Sequence, residues 1–511
     1  MIVLQKMLIL MHLALMANAS YLMVPLILAR LFSNRQVFSC AVLSFFYRVV
    51  GVAESPSFKM SGLELQLSTN NSTNNPTEAK MTKHDVLGIS RESGVEIATV
   101  DGVVTWTGSA TGAKKPRGPL SGKKIALLVA AEFSDFQAYH LVEYLSEFGA
   151  DVEFVAADGP KWKNTRPTHA AKGVHGMWGL SIDPIPVLGY ARSTYRALDD
   201  AADETYDGII VLGGHSADIL TTEKAALNLL ARHAESGATI GAIGEGGLAL
   251  VAAHVVEGRR CTGNAVVSYL LERVGSFVDE PVVRDARLVT ARDTVDTAAF
   301  AREFSRAFDP SFADPRENSL AGRQVAIIGG EDFEDIELVA PTLELLYRGA
   351  DLTILTFPAP LRSRPPLLGL DVVMGNFGVS IPFQEIPDDR YRIAELSRTD
   401  PASVEIVMIP GAFCPWNMVA AGSPIEWLKR AASAGTTIAA ICHGAIPLSA
   451  ADLVRGRRIA GVGACGEHVS IMGGTFEPDC AAIVDGPFVT GRVPKDVPEF
   501  IDAITYALLP E

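Results

Sequence analysis

At 511 residues, with 48% hydrophobic and 20% charged residues, the chain is globular by composition and too long for one ordinary core; about two to four domains are expected. A formal net charge of -15 and a pI near 5.2, with no compensating Lys/Arg-rich run, argue against a nucleic-acid partner. The six cysteines, Cys40, Cys261, Cys414, Cys442, Cys465 and Cys480, show neither CxxC nor His-x-x-x-His spacing, so neither a disulfide framework nor a metal site is indicated. Reduced, cytoplasmic chemistry is the default for the folded part.

Residues 1–59 differ from the rest. Met7 to Ala29 is almost wholly apolar between Lys6 and Arg30, long enough to cross a bilayer. The same stretch imitates a secretory signal ending near Ala17 and Ala19. A third reading starts translation at Met60 or Met81. A membrane partner, an anchored form or export follows only if this segment is translated. Residues 60–120 read as a flexible linker, rich in Asn, Thr, Ser, Gly and Lys from about Ser68 to Gly118. The sequons at Asn70 and Asn71 matter only in a secretory lumen.

From Lys123 onward, apolar strand-like runs alternate with amphipathic helical stretches, which predicts parallel sheets covered on both faces. KKIALLVAA and DVEFVAA flank a helix around LVEYLSEFG, and YDGIIVLGG precedes another. The pattern repeats at an interval of about two hundred residues. Gly149 in EFGADVEFV matches Gly349 in YRGADLTIL, and GMWGLSI from Gly176 matches GNFGVSI from Gly375. EGRRCTG from Glu257 matches RGRRIAG from Arg455, and RLVTAR matches PFVTGR. The chain therefore carries two copies of one α/β domain, 121–310 and 321–511, joined by the polar, Pro-bearing linker 311–320.

The chemistry concentrates in TTIAAICHGAIPLSAADLV, Thr436 to Val454, which reads as strand, abrupt turn and helix. Such a turn presents Cys442 to the amino end of the next helix, where free N–H groups favour an anion, so its thiol is expected to ionise more readily than usual. His443 and Gly444 follow at once. The first copy has Gly244 and Glu245 opposite Cys442 and His443, keeping the turn and losing the nucleophile. After the first strand of the second copy, Glu331, Asp332, Glu334, Asp335 and Glu337 crowd a helix start, and most read as caps or dipole partners. Parallel strands bring this turn and the Cys442 turn to the same carboxyl edge, where ligands bind in open α/β sheets. Glu337 is the candidate acid or base, because the first copy has the amide Gln137 there.

AAICHG, an upstream FEDIEL, and GRR with VDGxxVTGR downstream resemble the ThiJ/PfpI (DJ-one/PfpI) superfamily, across both copies. The resemblance implies two flavodoxin-like, class I glutamine amidotransferase-like parallel-sheet sandwich domains forming an internal pseudo-dimer, as in the tandem plant-type glyoxalases of that superfamily. It makes Cys442 the nucleophile on an elbow, His443 its neighbour, and Glu337 the carboxyl on the sulfur. The oxyanion loop corresponds to Pro410, Gly411 and Ala412, with Gly444 beside it. Where family members carry a Glu in PGGRAPE, this chain reads PGAFCPW, so Trp416 stands in its place and shapes the pocket. The first copy has Asp218 at that position, a candidate to orient His443 across the pair. Cys414 is a candidate resolving thiol, and Cys465 and His468 candidate pocket lining. Class I glutamine amidotransferases themselves need a downstream His-x-Glu pair that is absent here.

The implied activity is cofactor-independent, glyoxalase- or deglycase-like conversion of a small carbonyl substrate, a 2-oxoaldehyde, to a 2-hydroxy acid, without metal, nucleotide or glutathione. Two rivals stand beside it. One is a cysteine peptidase, amidase or isonitrile hydratase-like enzyme; the other is a non-enzymatic oxidative-stress sensor or chaperone. Beyond the internal pair, assembly into a homo-oligomer is left open.

Overall fold

Short aliphatic runs with no polar alternation bury both faces, and in each half of the chain they form the central strands of a parallel sheet. The computed structural model describes residues 81–92, 95–107, 118–157, 174–178, 193–361 and 372–510; the apolar amino-terminal stretch and the sequons lie outside them. No described helix is long and apolar enough to cross a membrane.

Helix α1 (Lys83–Glu92) and strands β1 (Glu96–Val100) and β2 (Val103–Thr107) come first. The first copy then runs β3 (Lys124–Ala130), α2 (Asp135–Glu147), β4 (Asp151–Ala157), β5 (Ser193–Ala197), β6 (Gly208–Val211), β7 (Thr239–Ile243), β8 (Val282–Asp285), β9 (Leu288–Ala291) and α3 (Thr297–Arg306). Its seven-stranded sheet is ordered β8-β9-β7-β6-β3-β4-β5, and only the β8–β9 hairpin is antiparallel. The second copy repeats the plan with β10 (Gln324–Ile328), α4 (Asp335–Tyr347), β11 (Asp351–Thr356), β12 (Arg392–Glu395), β13 (Ile406–Ile409), β14 (Thr437–Ile441), β15 (Cys480–Asp485), β16 (Phe488–Gly491) and α5 (Val497–Leu508). Its sheet has nine strands, β1-β2-β15-β16-β14-β13-β10-β11-β12.

The two extra strands correct the reading of 60–120 as linker throughout. Asp101 and Gly102, both at positive φ (50° and 81°), make the primed turn that matches the twist of a two-residue hairpin. That hairpin adds β2 antiparallel to β15. Trp106 on β2 is fully buried, its indole N–H donating to Ser90 Oγ at 3.2 Å and its ring edge-on to Tyr506 of α5 at 5.9 Å. Polar composition hid the pattern because β1 itself is mostly exposed and only β2 faces the core.

Both copies lie in one compact unit, Glu78–Glu511. Their first helices pack on each other, Tyr144 of α2 meeting Tyr347 of α4 edge-on at 5.9 Å. The connecting segment is part of this core. Arg316 is buried, paired with Asp314 and with Glu147 of α2, and its guanidinium lies 4.1 Å from the Tyr144 ring centre. Such an ion pair is sustained only by the hydrogen bonds that satisfy it.

If β2 belongs to the second sheet, Trp106→Ala should lower stability in urea unfolding by about 3–5 kcal/mol, the usual cost of emptying an aromatic core site. A change within error would place the hairpin outside the cooperative core.

Candidate active site

Strand order places the carboxyl ends of β10, β13 and β14 side by side, and three turns converge there. After β14 the chain must reverse within one residue into a helix. Cys442 absorbs that reversal in the left-handed region, φ 58°, which costs a non-glycine residue about 1–2 kcal/mol. A short 3-10 turn, Cys442–Gly444, leads into the helix Ala445–Ala450. Gly244 makes the same turn in the first copy at φ 55°, without the strain and without a side chain.

Gly411 sits in the turn after β13. A Cβ there would lie 2.5 Å from Glu337 Oε2 and 3.0 Å from Cys442 Sγ, so the missing side chain is what lets carboxyl and thiol meet. Glu337, in the first turn of α4, is fully buried. Its Oε2 accepts the Gly411 N–H at 2.7 Å, its carboxyl contacts the Cys442 thiol, and Oε1 has no hydrogen-bond partner of the usual kind. Glu334 caps the same helix, accepting the Glu337 N–H at 2.7 Å, as expected of that acidic cluster. Asp335 serves the neighbouring loop instead, taking the N–H groups of Phe377 and Val379 at 2.8 and 2.9 Å.

Burial pushes the Glu337 carboxyl up to about 8, which leaves it protonated at neutral pH. The Cys442 thiol, only 8% exposed, is also pushed up, first by burial and then by Glu337; the His443 N–H to the sulfur works the other way. This corrects the expected low thiol pKa. Desolvation and the facing carboxyl outweigh the N–H group that the turn aims at the sulfur. His443 Nδ1 lies 3.5 Å from Sγ. Burial, then the nearby His468, hold its imidazole below the usual range, so it is neutral and able to accept a proton.

Gly411, Ala412 and Gly444 lie at this centre, although the Gly411 N–H is already taken by Glu337. Ala412, at φ 53°, keeps its N–H without a partner among the described residues. In the first copy the matching N–H of Gly214 donates to Glu245 Oε2 at 3.1 Å, which shows where an anionic oxygen sits in such a loop. Trp416 is 49% exposed on the helix Cys414–Ala421, edge-on to Phe413 at 5.5 Å. Asp218 is exposed, in the first turn of the short helix Ser216–Leu220. Cys414 is fully buried with its thiol pushed up to about 12 by burial, unsuited to resolving a disulfide. Cys465 donates its S–H to the Cys442 carbonyl at 3.4 Å and supports the elbow from behind. His468 is exposed near His443.

The model of the DJ-1/PfpI family matches residues 123–307 and again 323–507. The chain belongs to the DJ-1/PfpI family, as a tandem-domain member. Protein DJ-1 homolog D of Arabidopsis thaliana is 24% identical over 393 residues, covering 75% of this chain and 97% of that protein. Single-domain relatives include Protein/nucleic acid deglycase 2 of Escherichia coli, 27% identical over 186 residues, with 36% of this chain and 96% of that protein covered. Among solved structures, Drosophila melanogaster DJ-1beta is 18% identical, with a TM-score of 0.30, covering 36% of this chain and 90% of that one.

Within this family member, the first copy's site is rebuilt rather than emptied. Gln137 Oε1 accepts the Gly213 N–H at 2.7 Å, as Glu337 does with Gly411, while its Nε2 donates to Thr294 Oγ1 at 2.9 Å. Sequence reading missed Glu385, a second-copy residue that reaches Ser134 and Trp178 of the first. The GNFGVSI repeat marks the loop that carries it.

A folded-state pKa near 8 against 4.5 for an ordinary Glu means that the folded chain keeps a proton the unfolded chain releases. Stability from this source falls as pH rises from about 4.5 to about 8. Glu337→Gln should flatten that part of the stability profile, gaining on the parent as pH increases. Parallel urea-midpoint curves across the window would show that Glu337 is ionised in the native state.

Proposed function

We propose that the second copy is a cofactor-independent enzyme of glyoxalase or deglycase type, turning a 2-oxoaldehyde into a 2-hydroxy acid through Cys442. The observation that carries this reading is the elbow itself: a strained thiol with a protonated carboxyl on one side and a neutral imidazole at 3.5 Å on the other. Relatives named deglycases support carbonyl chemistry at such a site.

A thiol that is not acidic needs a base as it attacks. His443 Nδ1 takes the proton while Sγ bonds to the aldehyde carbon and its C=O π bond opens; the proton then passes to the new alkoxide, giving a hemithioacetal. Imidazole next removes the hydrogen of that carbon as a proton, and the adjacent carbon gains one. The first carbon rises to the thioester level as the ketone falls to the alcohol, so no external oxidant enters. Water cleaves the C–S bond, releasing the 2-hydroxy acid and restoring the thiol. Protonated Glu337 steadies the sulfur whenever it carries charge. The open N–H of Ala412 faces the oxyanion, a contribution of about 3 kcal/mol where such donors have been removed.

Cys442→Ala should abolish lactate formation from methylglyoxal, and Glu337→Gln should lower kcat about 10- to 100-fold, as for a weakened hydrogen bond to a charged sulfur. Lactate formed in heavy water should carry deuterium on the carbinol carbon, since the proton visits His443. Full turnover by Cys442→Ala would end the mechanism.

A further inference from the structure

A cavity of about 810 Å³ occupies the first copy where the second has its thiol. Gly244, Glu245 and Gln137 form its floor, Asn264 and Thr294 a side, and Trp178 a wall. Residues 383–388 of the second copy complete its lining. A volume of this size suits a small organic molecule.

Its chemistry is opposite to that of the Cys442 centre. No nucleophile is present at Gly244. The N–H groups of Gly213 and Gly214, which would greet an anion, are covered by Gln137 and Glu245 at 2.7 and 3.1 Å. The floor therefore offers acceptors. Glu245 is held otherwise by Asn264 Nδ2 at 2.6 Å, a neutral donor. From the other copy, Glu385 is held by Ser134 Oγ at 2.5 Å, Trp178 Nε1 at 2.6 Å and Thr294 Oγ1 at 2.9 Å, again all neutral. Burial keeps Glu385 above the usual carboxylate range, and the charge of Glu245 adds to this. The nearby cations are engaged with other acids: Arg292 with Asp279 and Asp293, and Arg390 with Asp296. Two carboxylates from different domains thus face one space with no cation paired to either among the described residues, beside Trp178 and Phe383. Aromatic and carboxylate walls together complement an organic cation.

We propose that the first copy is a second, non-covalent binding site for a small organic cation, an ammonium or guanidinium compound with an apolar group, clasped between Glu245 of the first copy and Glu385 of the second. Because the ligand touches both domains, its binding ties them together. The site is independent of the reaction proposed for Cys442.

Calorimetric titration of the full chain with phenethylammonium and agmatine, and with phenylpropionate as the anion of similar shape, tests this. Saturable binding of at least one cation and none of the anion is expected. Glu245→Gln and Glu385→Gln should each weaken it at least about tenfold, the worth of one charge-assisted hydrogen bond, while Cys442→Ala binds as the parent does. Should a Gln variant fold poorly, Val266→Trp, at the exposed rim of the cavity, should block binding with both carboxylates intact. Equal binding of anion and cation, unchanged affinity in the double Gln variant, or no saturable binding of either cation down to a Kd of about 1 mM would overturn the proposal.

Discussion

The left-handed backbone at the end of β14 is the constraint on which the candidate site depends. A parallel strand that must turn at once into a helix leaves room for one residue at positive φ, and in the second copy that residue is Cys442. Holding a branched backbone conformation of this kind takes rigid surroundings. They are supplied by the Gly411 turn pressed against Cys442 and Glu337, by the Cys465 thiol on the Cys442 carbonyl, and by the buried strand β14 itself. Everything that makes the thiol available also makes it hard to ionise, since the elbow is closed in by the elements that sustain it.

That conflict explains the company the thiol keeps. Desolvation penalises either charge in the Glu337–Cys442 pair, so the pair holds its protons near neutrality and chemistry depends on a neighbour able to accept one. His443 is held neutral by burial and by His468, which suits that part. The first copy resolves the same crowding differently. It replaces the acid with Gln137 and the thiol with hydrogen, and it satisfies the loop N–H groups of Gly213 and Gly214 with Gln137 and Glu245 in turn.

Much of this was legible in the residues. Cys442, His443 and Glu337 stood out because the first copy of the domain lacks all three, and the strand periodicity put their turns on one sheet edge. The β1–β2 hairpin was hidden by a polar composition in which only Trp106 and its neighbours face inward, although Asp101–Gly102 is a turn signal. Trp416 was placed in the pocket by its position in a motif; its ring stands half exposed beside Phe413, and how far a side chain stands clear of its helix cannot be read from spacing alone. The thiol's raised pKa depends on how deeply the elbow is enclosed, a property of packing across four segments distant in sequence. Glu385 was invisible for a similar reason, since its partners belong to the other copy.

Joining two copies in one chain has a consequence for what the pair can become. Two identical subunits related by a two-fold axis must carry every substitution twice, so a change that helps at one elbow is imposed on the other. Here Arg316 and Asp314 bury the connection itself, Arg316 against Glu147 and Tyr144 of α2 and Asp314 against Tyr347 of α4, and the halves are free to differ. One elbow keeps a strained cysteine while its counterpart relaxes to glycine. One chain thereby holds two unlike elbows, a cysteine beside His443 and Glu337 in one half and a glycine beside a cavity of about 810 Å³ in the other.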